Sequence, residues 1–181
     1  MIAEIGQFVL ILALVLAVIQ ATLPLWGAAR GDTALMTLAD RTAVGQAVAL
    51  LIAFGALTHG FVTSDFSLTV VFQNSHSLKP MLYKVSGVWG NHEGSMLLWV
   101  LVLALFSAAV ALFGRNLPPS LRARVLAVQA MIGVGFLAFV IFTSNPFARI
   151  SPTPLDGTGL NPLLQDPGLA FHPPLLYLGY V

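Results

Sequence analysis

Long uncharged stretches alternate along the chain with short segments that carry nearly all of its charge. The uncharged windows cover residues 5–29, 42–64, 94–114 and 125–148, and each is rich in Leu, Val, Ala and Phe. About 20 mostly apolar residues cross the hydrocarbon core of a bilayer as a helix. Four spans are therefore expected, at about 5–26, 42–62, 94–113 and 125–143. A further uncharged window, 167–181, is still running at Val181. It predicts a fifth span from about 172, cut short. A helix stopped partway would leave carbonyls unsatisfied in lipid, so the chain reads as a fragment or as one piece of a split protein.

The first window is a retained helix, not a cleaved leader. No basic residue precedes it in Met1-Ile2-Ala3-Glu4, and it outruns the roughly 7–15 apolar residues of a signal peptide. Between the spans lie two unusual segments, 65–91 and 143–171. In the first, Phe66, Leu68, Val70 and Phe72 alternate with more polar positions, which predicts a short strand. The second holds Pro146, Pro152, Pro154, Pro162 and Pro167 with Gly157, Gly159 and Gly168, so a long helix is not expected there. Its apolar residues Leu155, Leu160, Leu163, Leu164 and Leu169 predict packing on the membrane surface.

The basic residues orient the spans. The segment after the first span carries Arg30 and Arg41, and the one after the third carries Arg115, Arg122 and Arg124. The other side receives Lys79, Lys84 and Arg149. The positive-inside rule then puts the shorter, more basic loops in the cytoplasm. The N-terminus and the segments 65–91 and 143–171 face the opposite side, the periplasm of a Gram-negative cell.

Composition agrees with lipid as the solvent. Of 181 residues, 57% are hydrophobic and 8% charged, against about 25% charged in soluble domains. Mean hydropathy is +0.89. The net charge of +1 offers no electrostatic case for nucleic acid. Zero cysteines exclude a thiol nucleophile, a zinc–thiolate site and an iron–sulfur cluster on these residues. The predicted class is all-α and integral to the membrane: a polytopic helix bundle with structured periplasmic loops.

Two motifs carry candidate chemistry. Val88-Trp89-Gly90-Asn91-His92-Glu93-Gly94-Ser95 opens the third span. Asn91 is placed to cap the helix, and Glu93 falls in the first turn, where the helix dipole favours an anion. Helical spacing would put Trp89, His92, Glu93 and Met96 on one face. On the residues alone this is either an ordinary cap with an anchoring tryptophan or a functional His–Glu pair at the membrane edge. The second motif is Phe171-His172-Pro173-Pro174. Two prolines suit the first turn of a helix, which would set His172 near the N-cap at the outer mouth of the fifth span. Imidazole is a common axial ligand of haem iron; a histidine bonded to a loop carbonyl is the alternative. His59 reads as interfacial, His76 as solvated, and Asp65 and Asp156 as turn residues.

Trp89-Gly90-Asn91-His92-Glu93-Gly94-Ser95 with Leu97-Leu98-Trp99, and Asn161 to Val181 around His172, resemble the CcmF/NrfE-type cytochrome c haem lyases. The resemblance runs the length of the chain and includes Glu4-Ile5-Gly6 and Leu23-Pro24-Leu25-Trp26. It implies a multi-pass protein of the bacterial inner membrane with a periplasmic haem face. It implies haem b as substrate, delivered by the haem chaperone CcmE. It also implies a CcmH-type subunit that presents apocytochrome c, and thioether bonds formed to a Cys-x-x-Cys-His segment. His172 is the haem axial ligand it implies. The tryptophan-rich segment, the second periplasmic histidine and the ligands of a second, membrane haem would lie beyond Val181. For Trp89, His92 and Glu93 the resemblance supplies no ligand role; a place on the haem path or in loop packing is expected. Two other readings of the residues stay open: a haem or solute transporter, and a structural membrane subunit.

Overall fold

A computed structural model describes residues 1–159, 161 and 165–180. Its elements are α1 (Ile2–Arg30), α2 (Thr33–Thr63), α3 (Thr69–Asn74), α4 (Met81–Ser86), α5 (His92–Phe113), a 3₁₀ turn (Gly114–Asn116), α6 (Pro119–Phe142) and α7 (Pro167–Tyr180). Four helices, α1, α2, α5 and α6, are long and apolar enough to cross a membrane. The fold is the all-α polytopic bundle expected. α1 packs on α2 and α6, α2 on α5, and α5 on α6, closing a four-helix ring; α7 leans on α4 and α5.

Small residues let the helices approach. The buried positions of α1 include Ala3, Gly6, Leu10, Ala13, Ala17, Gln20, Pro24 and Gly27, spaced alternately three and four apart. α2 answers with Ala39, Ala43, Ala47, Leu50, Ala53, Leu57 and Gly60. In lipid, burial of apolar area gives little drive for association, and close van der Waals packing of small residues takes its place. The outward faces hold Phe8, Ile11, Val15, Leu51, Ile52, Phe106, Val128 and Ile132, all exposed. Apolar exposure around every long helix is the surface of helices that meet lipid or further apolar helices.

The connection between α1 and α2 is tighter than the charge pattern implied. Gly31 takes the left-handed conformation (φ 71°) and closes α1 by donating to the Gly27 carbonyl. Asp32 caps α2, its carboxylate accepting from Ala34 N–H and Leu35 N–H. Arg41 therefore lies inside α2, not in a loop.

The strand expected over 66–72 is not formed. Leu68 makes one isolated antiparallel bridge with Arg149, and 69–74 coils into α3, which buries the consecutive residues Val70 and Val71. Side-chain burial on both sides of that turn outweighs β-propensity, a weak and context-dependent preference.

Residues 143–159 lie across the segment 64–91. Thr69 N–H donates to the Ala148 carbonyl at 2.9 Å, Ile150 N–H to Ser67 at 3.0 Å and Thr158 N–H to Phe72 at 2.8 Å. Of the leucines expected to pack on the membrane surface, only Leu155 has a described side chain, and it does not pack. Leu155 is fully exposed, while Leu160, Leu163 and Leu164 and the side chain of Leu169 lie outside what is described. The side chain that anchors this loop is Phe147, buried against Gly6, where an added Cβ would overlap the ring. Arg149 pairs with Glu4 and donates to Ser67. The start of α1 and both long loops thus share one end of the bundle. The turns at Gly31–Asp32 and Gly114–Asn116 share the other.

Candidate functional site

α5 starts as its sequence dictates. The Asn91 side chain accepts from Gly94 N–H at 2.7 Å, while its amide donates back to the Gly87 carbonyl at 2.7 Å. A side chain on Gly94 would collide with the Val88 carbonyl. Asn91 and Gly94 are thereby fixed by backbone geometry.

Because α5 begins at His92, Trp89 precedes the helix and does not share a face with His92, Glu93 and Met96. The expectation of one common face fails at the tryptophan. Its ring stacks on Phe54 of α2, with centroids 6.5 Å apart at 14°. Its indole N–H donates to the Ala170 carbonyl at 2.7 Å. Ala170 stands four residues before Pro174, which has no N–H to complete that helical hydrogen bond. Trp89 supplies the donor that Pro174 lacks.

The start of α7 also differs from expectation. Pro167 opens the helix, the Asp166 carboxylate accepts from Gly168 N–H at 2.8 Å, and Pro173 and Pro174 sit inside. His172 is five residues into the helix, not at its N-cap. Asp-Pro-Gly is a stronger start signal than the later Pro-Pro, because it offers both a cap and a proline at the first helical position. His172 is exposed, with no hydrogen bond among the described residues. An accessible imidazole with unengaged nitrogens is chemically suited to an iron ligand whose opposite partner comes from elsewhere.

His92 points the other way. Its Nε2 lies 3.0 Å from Ser144 Oγ, and its ring meets Phe139 edge-on at 6.0 Å. Together with Met96, Met131 and Phe136 it lines a cavity of about 520 Å³ between α5 and α6. Glu93, in the first turn, shares neither partner. Trp89 is thus joined to the His172 helix, and His92 is not.

His76 accepts from Leu78 N–H through Nδ1 at 3.2 Å and lies 3.5 Å from Asp156. Asp156 is more than a turn residue. It accepts from Ser77 N–H at 2.9 Å and from Ser77 Oγ–H at 2.5 Å, and these bonds hold its carboxyl down to about 2. Lys79 is buried, donates to the Asn74 carbonyl at 3.0 Å, and is pushed down to about 8 by burial and then by Lys84.

Charge-based reading misses a polar layer inside the bundle. Gln20 of α1 is fully buried and donates through Nε2 to Ser107 Oγ at 3.1 Å and to the Leu126 carbonyl at 2.9 Å. Gln46 and Gln129 line a small cavity beside Ser107. Each long helix contributes one member. An amide within an uncharged window was the available signal.

The family model described as cytochrome C assembly protein matches residues 89–181. The chain is 65% identical over its whole length to the cytochrome c-type biogenesis protein ccl1 of Rhodobacter capsulatus, covering 28% of that protein. It is 57% identical to the cytochrome c-type biogenesis protein CcmF of Pseudomonas aeruginosa, again covering all of this chain and 28% of the relative. A solved structure of the cytochrome c haem lyase CcmF superposes with a TM-score of 0.86 at 28% identity, over 99% of this chain and 28% of that one. The chain thus spans a little over a quarter of the length of the relatives it matches.

Proposed function

The chain belongs to the cytochrome c assembly protein family, and from that premise we propose that it forms part of a haem lyase of cytochrome c maturation. The protein lies in the bacterial inner membrane, with the N-terminus and both long loops periplasmic. It handles haem b as substrate, received from the haem chaperone CcmE. A CcmH-type subunit presents the apocytochrome.

The observation that carries this reading is the bond from Trp89 to the Ala170 carbonyl. It ties the helix that bears His172 to the segment just before α5, and this tie supports a positioned imidazole. His172 supplies one axial nitrogen to the substrate iron. Its other ring N–H requires an acceptor to fix tautomer and basicity. A positioned imidazole orients the vinyl edges of the haem beside the thiols of a Cys-x-x-Cys-His segment. Orientation of this kind is worth roughly 7–11 kcal/mol of barrier in favourable cases. Both thiols come from the apocytochrome.

The test places this chain in a full-length relative, in exchange for the matching segment, in a strain lacking its own haem lyase. Covalent cytochrome c is read by haem stain. Wild type restores the stain, and His172→Ala abolishes most of it. Full yield from His172→Ala would refute the ligand role.

A further inference from the structure

At the end of the bundle away from the long loops, a cavity of about 530 Å³ opens between α2, α5 and α6. Its polar wall is Asp40, Arg41, Arg115 and Arg122, and its floor includes Val44 and Leu112. Among the described residues, one of the three guanidinium groups is neutralised. Arg122 Nη2 lies 2.8 Å from Asp40 Oδ2, and both side chains are largely buried. Arg41 and Arg115 are exposed and form no ion pair among the described residues. The cavity therefore carries a net positive field from two arginines, with a third locked in place beside them. Its volume lies in the range of small-ligand sites, roughly 300–1,000 Å³.

Its position sets the class of ligand. Arg41 immediately precedes the uncharged stretch of α2, Arg115 follows the last turn of α5, and Arg122 precedes that of α6. All three stand where hydrocarbon gives way to headgroups. Leu112 beside them is half exposed. A soluble anion would gain nothing from that apolar floor. An amphiphile with an anionic head and an acyl chain matches both walls, and basic pockets between helices at this depth bind anionic lipid headgroups.

We propose that this cavity is a binding site for an anionic phospholipid, its phosphate held by Arg41 and Arg115 and its upper acyl chain lying on Val44 and Leu112. Arg122 is a positioning residue, kept in line by Asp40. The site lies on the face opposite to His172 and does not depend on the haem reading.

Thermal unfolding of the purified full chain in detergent tests it, with phosphatidylglycerol, phosphatidylcholine or inorganic phosphate added at matched concentration. Phosphatidylglycerol is expected to raise the unfolding temperature, and the other two are not. Arg41→Gln with Arg115→Gln should shift the phosphatidylglycerol dose response about thirtyfold weaker, from roughly 1 kcal/mol per basic residue. The charge-preserving pair Arg41→Lys with Arg115→Lys should keep the response, which guards against a variant that merely misfolds. Arg124→Gln, at the same end but outside the cavity, should also keep it. An equal effect of phosphatidylcholine, or of phosphate alone, would overturn the proposal. So would an unchanged response in the glutamine pair, or an equal loss in Arg124→Gln.

Discussion

The indole N–H of Trp89 donates to the carbonyl of Ala170 at 2.7 Å, across a gap of 81 residues, at the position where Pro174 removes the helix's own donor. One bond thereby ties two motifs that look unrelated in the sequence. A tryptophan before α5 completes the hydrogen bonding of α7.

This relationship predicts a non-additive pair. Trp89→Phe keeps the ring on Phe54 and strands the carbonyl, so it should destabilise by about 1 kcal/mol. Pro174→Ala restores an N–H to Ala170, and in that background Trp89→Phe should be close to neutral. Thermal unfolding of the four variants in detergent gives the coupling. Additive effects would show that the bond is not completing the helix.

Gly94 is held by contact, not by torsion. Its missing Cβ leaves room for the Val88 carbonyl, so Gly94→Ala must push backbone against backbone. A loss of about 1–3 kcal/mol is expected, the usual cost of overpacking. An unfolding temperature equal to wild type would show that the turn at 88–91 yields freely.

Within the bundle, Gln20→Leu should cost about 1 kcal/mol, because it removes the bond to Ser107 and the link to α6. Leucine fills similar volume, so the loss reports polar pairing. Unfolding in detergent measures it, and a gain in stability would mean that the polar layer serves something other than packing.

The clasp between the two long loops should be acid-sensitive. Asp156 is held at about 2 against its ordinary value of 3.8. A carboxyl depressed in the fold contributes stability that is complete above its unfolded value and lost as pH falls through the folded one. Protection of the Ser77 amide from hydrogen exchange should therefore be constant above about pH 4 and fall towards pH 2. Asp156→Asn should remove that dependence. A flat profile in the wild type would contradict the assignment.

The spans were legible because lipid imposes one rule on every residue of a window, the exclusion of charge, and that rule is visible without partners. Asn91 as a cap was legible because its partner is local: the donor, Gly94 N–H, is three residues away. What needed the structure were contacts between distant segments. Phe66 to Phe72 alternates like a strand, yet Val70 and Val71 are buried together only because a helical turn there packs over α2. Nothing near Pro174 announces that its missing donor comes from Trp89. The small-residue seam of α1 repeats at three and four residues throughout, yet a reading led by charge and not by residue size passes over it. His172 was singled out as the expected ligand only through family resemblance, and its neighbours alone leave its role undecided.

The most direct measurement is the haem content, by pyridine haemochrome, of the full-length relative carrying this chain in exchange for its matching segment. Wild type and His172→Ala are purified alike in detergent. Retention by the wild type with loss of one equivalent in His172→Ala is the predicted result. Equal haem in both proteins would contradict a ligand at His172 and leave that helix a structural element.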